Sequence, residues 1–336
     1  GALQWRLHDV VVVRKSFADL YGSDRSSSKL RSRAITGGSN LMSVRRMAGY
    51  GLLVLLVVGG LFAYQNRLYL RMAIQQPQLF REPVLDQSAV PLPADLGAVA
   101  ILSFSKTNGY RHHDSIAASI KMLDELAAAS GWHIFHTENG AVFTPENLQR
   151  FGLIILNHKS GTVWTEGQRQ ALKSYVEEGG TLLAQHAAGG DQGYDWSWYL
   201  DQVLRAQFVD HPMTQHIQPA TLIVEDRSHP ATAHLGSVWQ RSDEWYNFVA
   251  SPRGNTQVLM SIDEATYDPE KSPMGADHPM VWWHRVGKGR VFYSALGHTP
   301  ESYSEPDFRA FIQGAISWGL DAPTNNDSEE GVRDEF

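Results

Sequence analysis

Residues 151–157 read Phe-Gly-Leu-Ile-Ile-Leu-Asn, a run too evenly apolar for a sheet with one face in water. A half-exposed strand alternates apolar and polar residues, whereas a strand covered on both sides does not. The flanking segments supply the cover. Residues 98–104 form a short apolar run, 114–130 repeat apolar residues at helical spacing, and 132–136 read as a second strand. Residues 165–178 read as a helix stopped by Gly179-Gly180, and 181–185 as the next strand. Strands follow at 221–225, 257–262, 280–283 and 290–295, with a closing helix at 306–318. This alternation specifies an α/β domain over residues 97–320: a doubly wound, largely parallel sheet flanked by helices, with no internal repeat.

A second apolar segment belongs to another environment. Residues 47–66 carry no charged side chain. At about 1.5 Å per residue they span roughly the 30 Å of a bilayer core. No polar stripe marks the segment as a buried globular helix. It reads as a single transmembrane helix, an uncleaved anchor in preference to a cleaved signal peptide. Arg45 and Arg46 precede it, which orients the N-terminus to the cytoplasm and the domain outside, although Arg67 and Arg71 follow it.

Residues 1–47 hold nine Lys/Arg against three Asp/Glu, while the whole chain carries a formal charge of -7. Residues 1–46 read as a disordered basic arm. Within it, Met42 resembles a natural start, so residues 1–41 read as an upstream extension. Residues 67–96, rich in Pro, Gln and Asp, read as a linker, and 321–336 as a disordered acidic tail. No basic surplus points to nucleic acid. Cysteine is absent, which excludes disulfides, thiolate metal ligands and a thiol nucleophile.

Ligands of doubly wound sheets bind beyond the carboxyl ends of the strands. Four such ends carry histidine: the loop after the first strand (Arg111, His112, His113), Asn157-His158, Gln185-His186 and Gly297-His298. One histidine alone is more often a hydrogen-bonded structural residue; four at one topological place point to a site. The His-Pro pairs at 211, 229 and 278 read either as imidazoles held at a fixed angle on extended backbone or simply as loop prolines at strand boundaries. Asp243-Glu244 offers a general base, a metal ligand or sugar contacts. Trp196 and Trp198, in an aromatic loop with Tyr194 and Tyr199, suit stacking on a pyranose ring or filling of the core.

These residues resemble the ThuA-like (trehalose-utilisation) family. The likeness lies in 107–116 (Thr-Asn-Gly-Tyr-Arg-His-His-Asp-Ser-Ile), His186-Ala187-Ala188, His211-Pro212 and 225–230 (Glu-Asp-Arg-Ser-His-Pro). It continues through 243–248 (Asp-Glu-Trp-Tyr-Asn-Phe), 274–279 (Met-Gly-Ala-Asp-His-Pro) and Gly297-His298-Thr299. The resemblance implies a class I glutamine-amidotransferase-like fold and a role in sugar metabolism, on trehalose or an oxidised glycoside. In that superfamily the nucleophilic cysteine stands at a strand-to-helix elbow; here the matching strand ends in His186. Both His112 and His113 stand where the family has a single histidine.

The expected function is therefore a membrane-anchored, extracytoplasmic protein acting on a carbohydrate or glycoside, as a hydrolase or lyase. The alternative is a tethered carbohydrate-binding or interaction module without turnover. The expected catalytic residues are His112 or His113, His186, His298, Asp243 and Glu244. Arg111, Asn157, Trp196, Trp198, Tyr246, His211 and His278 are expected to contact substrate. Histidine acid/base chemistry is favoured over a divalent metal, for which His113, His186 and His298 are the candidate ligands. No compact metal motif is present, and oligomeric state is not readable.

Overall fold

The structure, a computed structural model, describes residues 40–190 and 195–321. Most of the basic arm, the acidic tail beyond Asp321 and Tyr194 of the aromatic loop lie outside the described residues. The chain divides into two units, the first ending at Arg67 and the second beginning at Leu68. The first contains helix α1 (Asn40–Gln65), and its segment Arg46–Gln65 is long and apolar enough to cross a membrane, with none of it buried.

The second unit takes in the short amphipathic helix α2 (Arg67–Gln75) from Leu68 onward and then forms the α/β domain. Strands β1 (Ala100–Phe104), β2 (His133–Thr137), β3 (Leu153–Asn157) and β4 (Thr181–Gln185) come first. They interleave with helices α3 (His113–Ser130), α4 (Pro145–Leu148) and α5 (Glu166–Glu177). Next come β5 (Phe208–Asp210), β6 (Gln218–Val224), β7 (Val238–Asp243) and β8 (Asn247–Phe248). Strands β9 (Gln257–Asp263), β10 (Pro279–Val286) and β11 (Gly289–Ser294) follow, and helix α6 (Pro306–Leu320) closes the domain.

The nine-stranded main sheet has the order β2-β1-β3-β4-β11-β10-β9-β6-β7. Its first five strands are parallel: Leu102 of β1 pairs with Phe135 on one side and Ile154 on the other. Strand β11 joins β4 in the same direction. The remaining four strands form an antiparallel wing. Strand β3 is as fully covered as its sequence requires, with Leu153, Ile154, Ile155 and Leu156 each at most 1% exposed. Helix α3 packs on β2, α5 on β11, and α6 on β3 and β4. A Thr165–Gln168 capping box starts α5, and Gly131 at φ 73° ends α3.

Two features depart from expectation. Strand β7 escapes the sequence reading because its buried face carries Trp239, Arg241 and Asp243, so charge interrupts the apolar alternation. The segment expected as a free linker instead lies against the domain from Gln76 onward. Gln76 is buried, accepting from the Arg111 N–H (2.8 Å) and donating to the Arg111 carbonyl (3.0 Å). Asp86 pairs with Lys106 (2.7 Å) and accepts from the Gly140 N–H (2.9 Å). Proline and glutamine composition suits a linker, but paired amides and a fixed carboxylate suit docking equally well. A chain beginning near Leu96 loses all of these bonds.

Candidate functional site

The four antiparallel steps from β11 to β7 return β7 to the direction of β11. The carboxyl ends of β1, β3, β4, β11 and β7 therefore share one edge of the sheet. That edge gathers His112, His158, His186, His298 and Glu244.

His186 follows β4 at φ 46°, and His158 follows β3 at φ 55°, a left-handed backbone usual for glycine. Such strain persists only where surroundings enforce it. At His186 they do. Its Nδ1 donates to the Ala295 carbonyl (2.7 Å), its ring stacks on Tyr246 (4.4 Å between centroids), and it is fully buried. The small residues after it let two tyrosines approach. A Cβ on Gly189 would stand 2.4 Å from the Tyr293 ring, and one on Gly190 would stand 2.6 Å from the Tyr246 hydroxyl.

Because a carbonyl only accepts, Nδ1 of His186 carries the proton and Nε2 presents its lone pair to the cluster. Around that nitrogen lie the Tyr246 hydroxyl (3.0 Å), His298 Nδ1 (3.1 Å) and Glu244 Oε2 (3.4 Å). His298 Nδ1 is 2.9 Å from the same Glu244 oxygen, and His211 Nδ1 is 3.4 Å from the other. The His112 ring centroid lies 5.0 Å from that of His186 and 4.8 Å from that of His298. One donor atom from each of His112, His186, Glu244 and His298 falls within a span of 4.8 Å.

Glu244 is 3% exposed. Burial opposes its ionisation, yet the hydrogen bond from His298, with the His186 imidazole close by, holds its carboxyl well below the usual value. Burial likewise opposes a charged His298, but the Glu244 carboxylate outweighs it and raises the imidazole. His112 is driven well down by burial and by the neighbouring His186 and His298. The edge therefore holds one imidazole poised to carry a proton beside its counter-ion, with His112 and His158 kept neutral nearby. That arrangement suits proton transfer at near-neutral pH.

A cleft of about 510 Å³ opens over this cluster. Tyr110, Phe208, Met213 and Tyr246 give it apolar walls, and His112, His211, His216, Glu244 and His298 supply polar groups. Met72 of α2 and Leu79 also line it, so the supposed linker forms part of the wall.

The expected site residues separate into groups. His112, His298, Glu244, Tyr246 and His211 come together at the cleft, and His186 lies fully buried behind them in contact with His298 and Tyr246. His113 opens α3 beside His112 but stays out of the donor cluster. Asp243, expected to be catalytic, faces inward. It accepts the N–H groups of Gly297 (2.8 Å) and His298 (2.9 Å) and pairs with Arg241 (3.2 Å), so it positions the His298 loop. Arg111 pairs with Glu138 (2.6 Å) along a neighbouring groove.

Asn157 is fully buried beneath the edge, and neither it nor His278 lines the cleft. His278 donates through Nε2 to the Tyr246 carbonyl (2.7 Å) and so braces that residue. Trp196 and Trp198 stack on each other, and Trp198 donates to Glu177 at the far end of α5, so neither reaches the cleft. Their apolar faces serve packing. Tyr303 and His216 carried no sequence signal. The Tyr303 hydroxyl donates to the Gly297 carbonyl (2.8 Å) and lies 2.6 Å from His158 Nε2.

The family model described as "Trehalose utilisation", ThuA, matches residues 100–319. The chain belongs to the ThuA family. A solved ThuA-like protein from Bacteroides uniformis superposes with a TM-score of 0.59 at 22% identity, over 69% of this chain and 95% of that one. Another, from Parabacteroides merdae, gives 0.52 at 17% identity, over 66% of this chain and 90% of that one. These likenesses establish the ThuA-like fold. No curated protein matches the sequence.

The buried histidines of this ThuA-family domain set an expected pH response. Burial lowers His229 and His284 from 6.5 to about 4, and also lowers His112, His158 and His278. The unfolded chain then binds protons that the folded chain refuses, so these groups stabilise above pH 6.5 and lose that contribution as pH falls toward 4. His298 acts oppositely: its contribution is full below 6.5 and fades as pH rises through its raised pKa. Glu305, raised by burial, acts in the same sense as His298, and five groups outweigh these two. The urea midpoint should drop between about pH 7 and about pH 5; a midpoint that rises would contradict this assignment.

Proposed function

We propose that the chain is a membrane-anchored enzyme acting on a carbohydrate or glycoside, of trehalose type or oxidised, as a hydrolase or lyase. The reading rests on one observation above all: a buried glutamate contacted by His186, His211 and His298 at the base of a cleft with aromatic walls. Tyrosine and phenylalanine rings suit the apolar C–H faces of a sugar, while imidazoles and carboxylate suit its hydroxyls. His298, held beside Glu244, is the proton carrier. Tyr110, Tyr246 and His211 orient the ring. The family description, trehalose utilisation, supports the substrate class.

The apolar helix Arg46–Gln65 supports the anchor, and the arginines at positions 45 and 46, at its start, support a cytoplasmic N-terminus with the domain outside. The full chain should remain with membranes after a high-salt wash, and release by salt alone would remove the anchor from the proposal. Turnover is tested by presenting plain and oxidised glycosides to the full chain and following product formation. Saturable sugar binding without any product would favour a tethered binding module instead.

A further inference from the structure

We infer that His112, His186, Glu244 and His298 form a binding site for one first-row divalent metal ion, with zinc the best match. The inference deepens the proposed function, since it concerns the same cleft and rests on that cleft being the working site; a bound ion would take the place of the His298 proton, and the His298–Glu244 proton pair belongs to the metal-free chain. Zinc bonded to imidazole nitrogen and carboxylate oxygen at about 2.0–2.1 Å in a tetrahedron sets its ligand atoms roughly 3.3–3.4 Å apart. The donor atoms here already stand near that separation. His186 Nε2 is 3.1 Å from His298 Nδ1 and 3.4 Å from Glu244 Oε2, and the remaining edge is 2.9 Å. His112 supplies the fourth donor within the 4.8 Å span.

Hydrogen bonding among the four accounts for only part of this geometry. A His298–Glu244 pair uses one imidazole. The His186 lone pair faces the cluster because the Ala295 carbonyl fixes the proton on Nδ1 (2.7 Å). An imidazole anchored by a backbone carbonyl through its remote nitrogen is the usual outer support of a metal-bound histidine. The other ligands are braced in the same way from outside. Asp243 holds the backbone N–H groups of His298 and Glu244, each at 2.9 Å, and Ser115 donates to the His298 carbonyl. Nδ1 of His112 is buried with no hydrogen-bond partner, so its ring is not held by hydrogen bonding through that atom. Three imidazoles and one carboxylate are borderline donors, which suits zinc and its first-row neighbours better than calcium or magnesium, which prefer oxygen. A bound ion that expanded to take a sugar oxygen as a fifth ligand would supply Lewis-acid polarisation at the base of the cleft.

The test is metal binding by the full chain in detergent, stripped with chelator and dialysed against zinc. Mass spectrometry should find about one zinc per chain, and cobalt(II) should give the visible absorption of a low-coordinate ion that zinc then abolishes. His112→Ala, His186→Ala, His298→Ala and Glu244→Gln should each weaken zinc binding by at least about a hundredfold, whereas His113→Ala should keep it. Thermal melts establish which variants fold, and the wild-type cobalt spectrum decides the matter where they do not. Folded wild-type chain that retains no zinc, or undiminished zinc in folded His186→Ala and His298→Ala, would overturn the site. Turnover is read separately. Glycoside turnover by zinc-free chain removes the metal and leaves the enzyme reading standing; stoichiometric zinc without turnover on any glycoside does the reverse.

Discussion

Glu244→Gln should lower kcat/KM on the active glycoside by about 10²- to 10⁴-fold while leaving the chain folded. Glutamine keeps the shape of the side chain and an oxygen for hydrogen bonding, but removes the charge that three histidines surround. The Glu244 carboxylate is what raises His298 against the effect of burial. Without it, burial prevails, His298 becomes a neutral imidazole at neutral pH, and the poised proton is gone. The acid limb that Glu244 itself imposes should also vanish from the pH–rate profile, because no carboxylate remains to protonate. The comparison is kcat/KM across pH for wild type and variant, with circular dichroism confirming the fold. A variant with wild-type kcat/KM at every pH would remove Glu244 from the chemistry and the proton-transfer scheme with it.

The sheet edge was legible because its chemistry sits where strand periodicity stops. Residues 153–156 and 182–184 are apolar throughout, so the polar pair that follows each run is conspicuous. His186 and His298 could be placed at one edge from topology alone. Which histidine of the pair 112–113 enters the cluster depends on where α3 begins. His112 is the residue before its first turn and His113 is already helical, a one-residue distinction that periodicity does not resolve.

Aromatic residues misled for a different reason. Trp196 and Trp198 carry the composition of a sugar platform, yet the two rings stack on each other, Trp164 meets Trp196 in a T-shaped contact, and Trp198 donates its N–H to Glu177. Only three-dimensional neighbours tell a stacking platform from a packed corner. The segment 67–96 hid its role because it contributes single residues, Met72, Gln76, Leu79 and Asp86, and these carry no period. The likeness to the ThuA family was readable from seven motifs in order, but motifs do not say which members touch substrate. Asp243 and Glu244 are adjacent in sequence and opposite in function, since one turns inward to the backbone and the other out to the histidines.

That division makes Asp243→Ala the largest expected loss of stability. Asp243 is fully buried, and the Arg241 side chain beside it is 1% exposed. Alanine leaves the guanidinium without its buried counter-ion and strips acceptors from the N–H groups of Glu244, Gly297 and His298. Ser302 (2.6 Å) and Glu305 (3.6 Å) still contact Arg241, but the former is neutral and the latter is half-exposed. Breaking one side of a buried pair costs about 3–5 kcal/mol, which should appear as a large fall in the urea midpoint. Activity should fall as well, because the loop that aims His298 loses its tether. A role in the chemistry alone would leave stability intact, so the two are separable. The double change Arg241→Met with Asp243→Ala removes both charges and should recover part of the loss, although the three N–H groups stay unpaired. A single variant costing less than about 1 kcal/mol, or a double variant with no recovery, would show that the pair does not hold the edge together. With recovery, the residual deficit of the double variant measures what those N–H bonds contribute to placing His298 over Glu244.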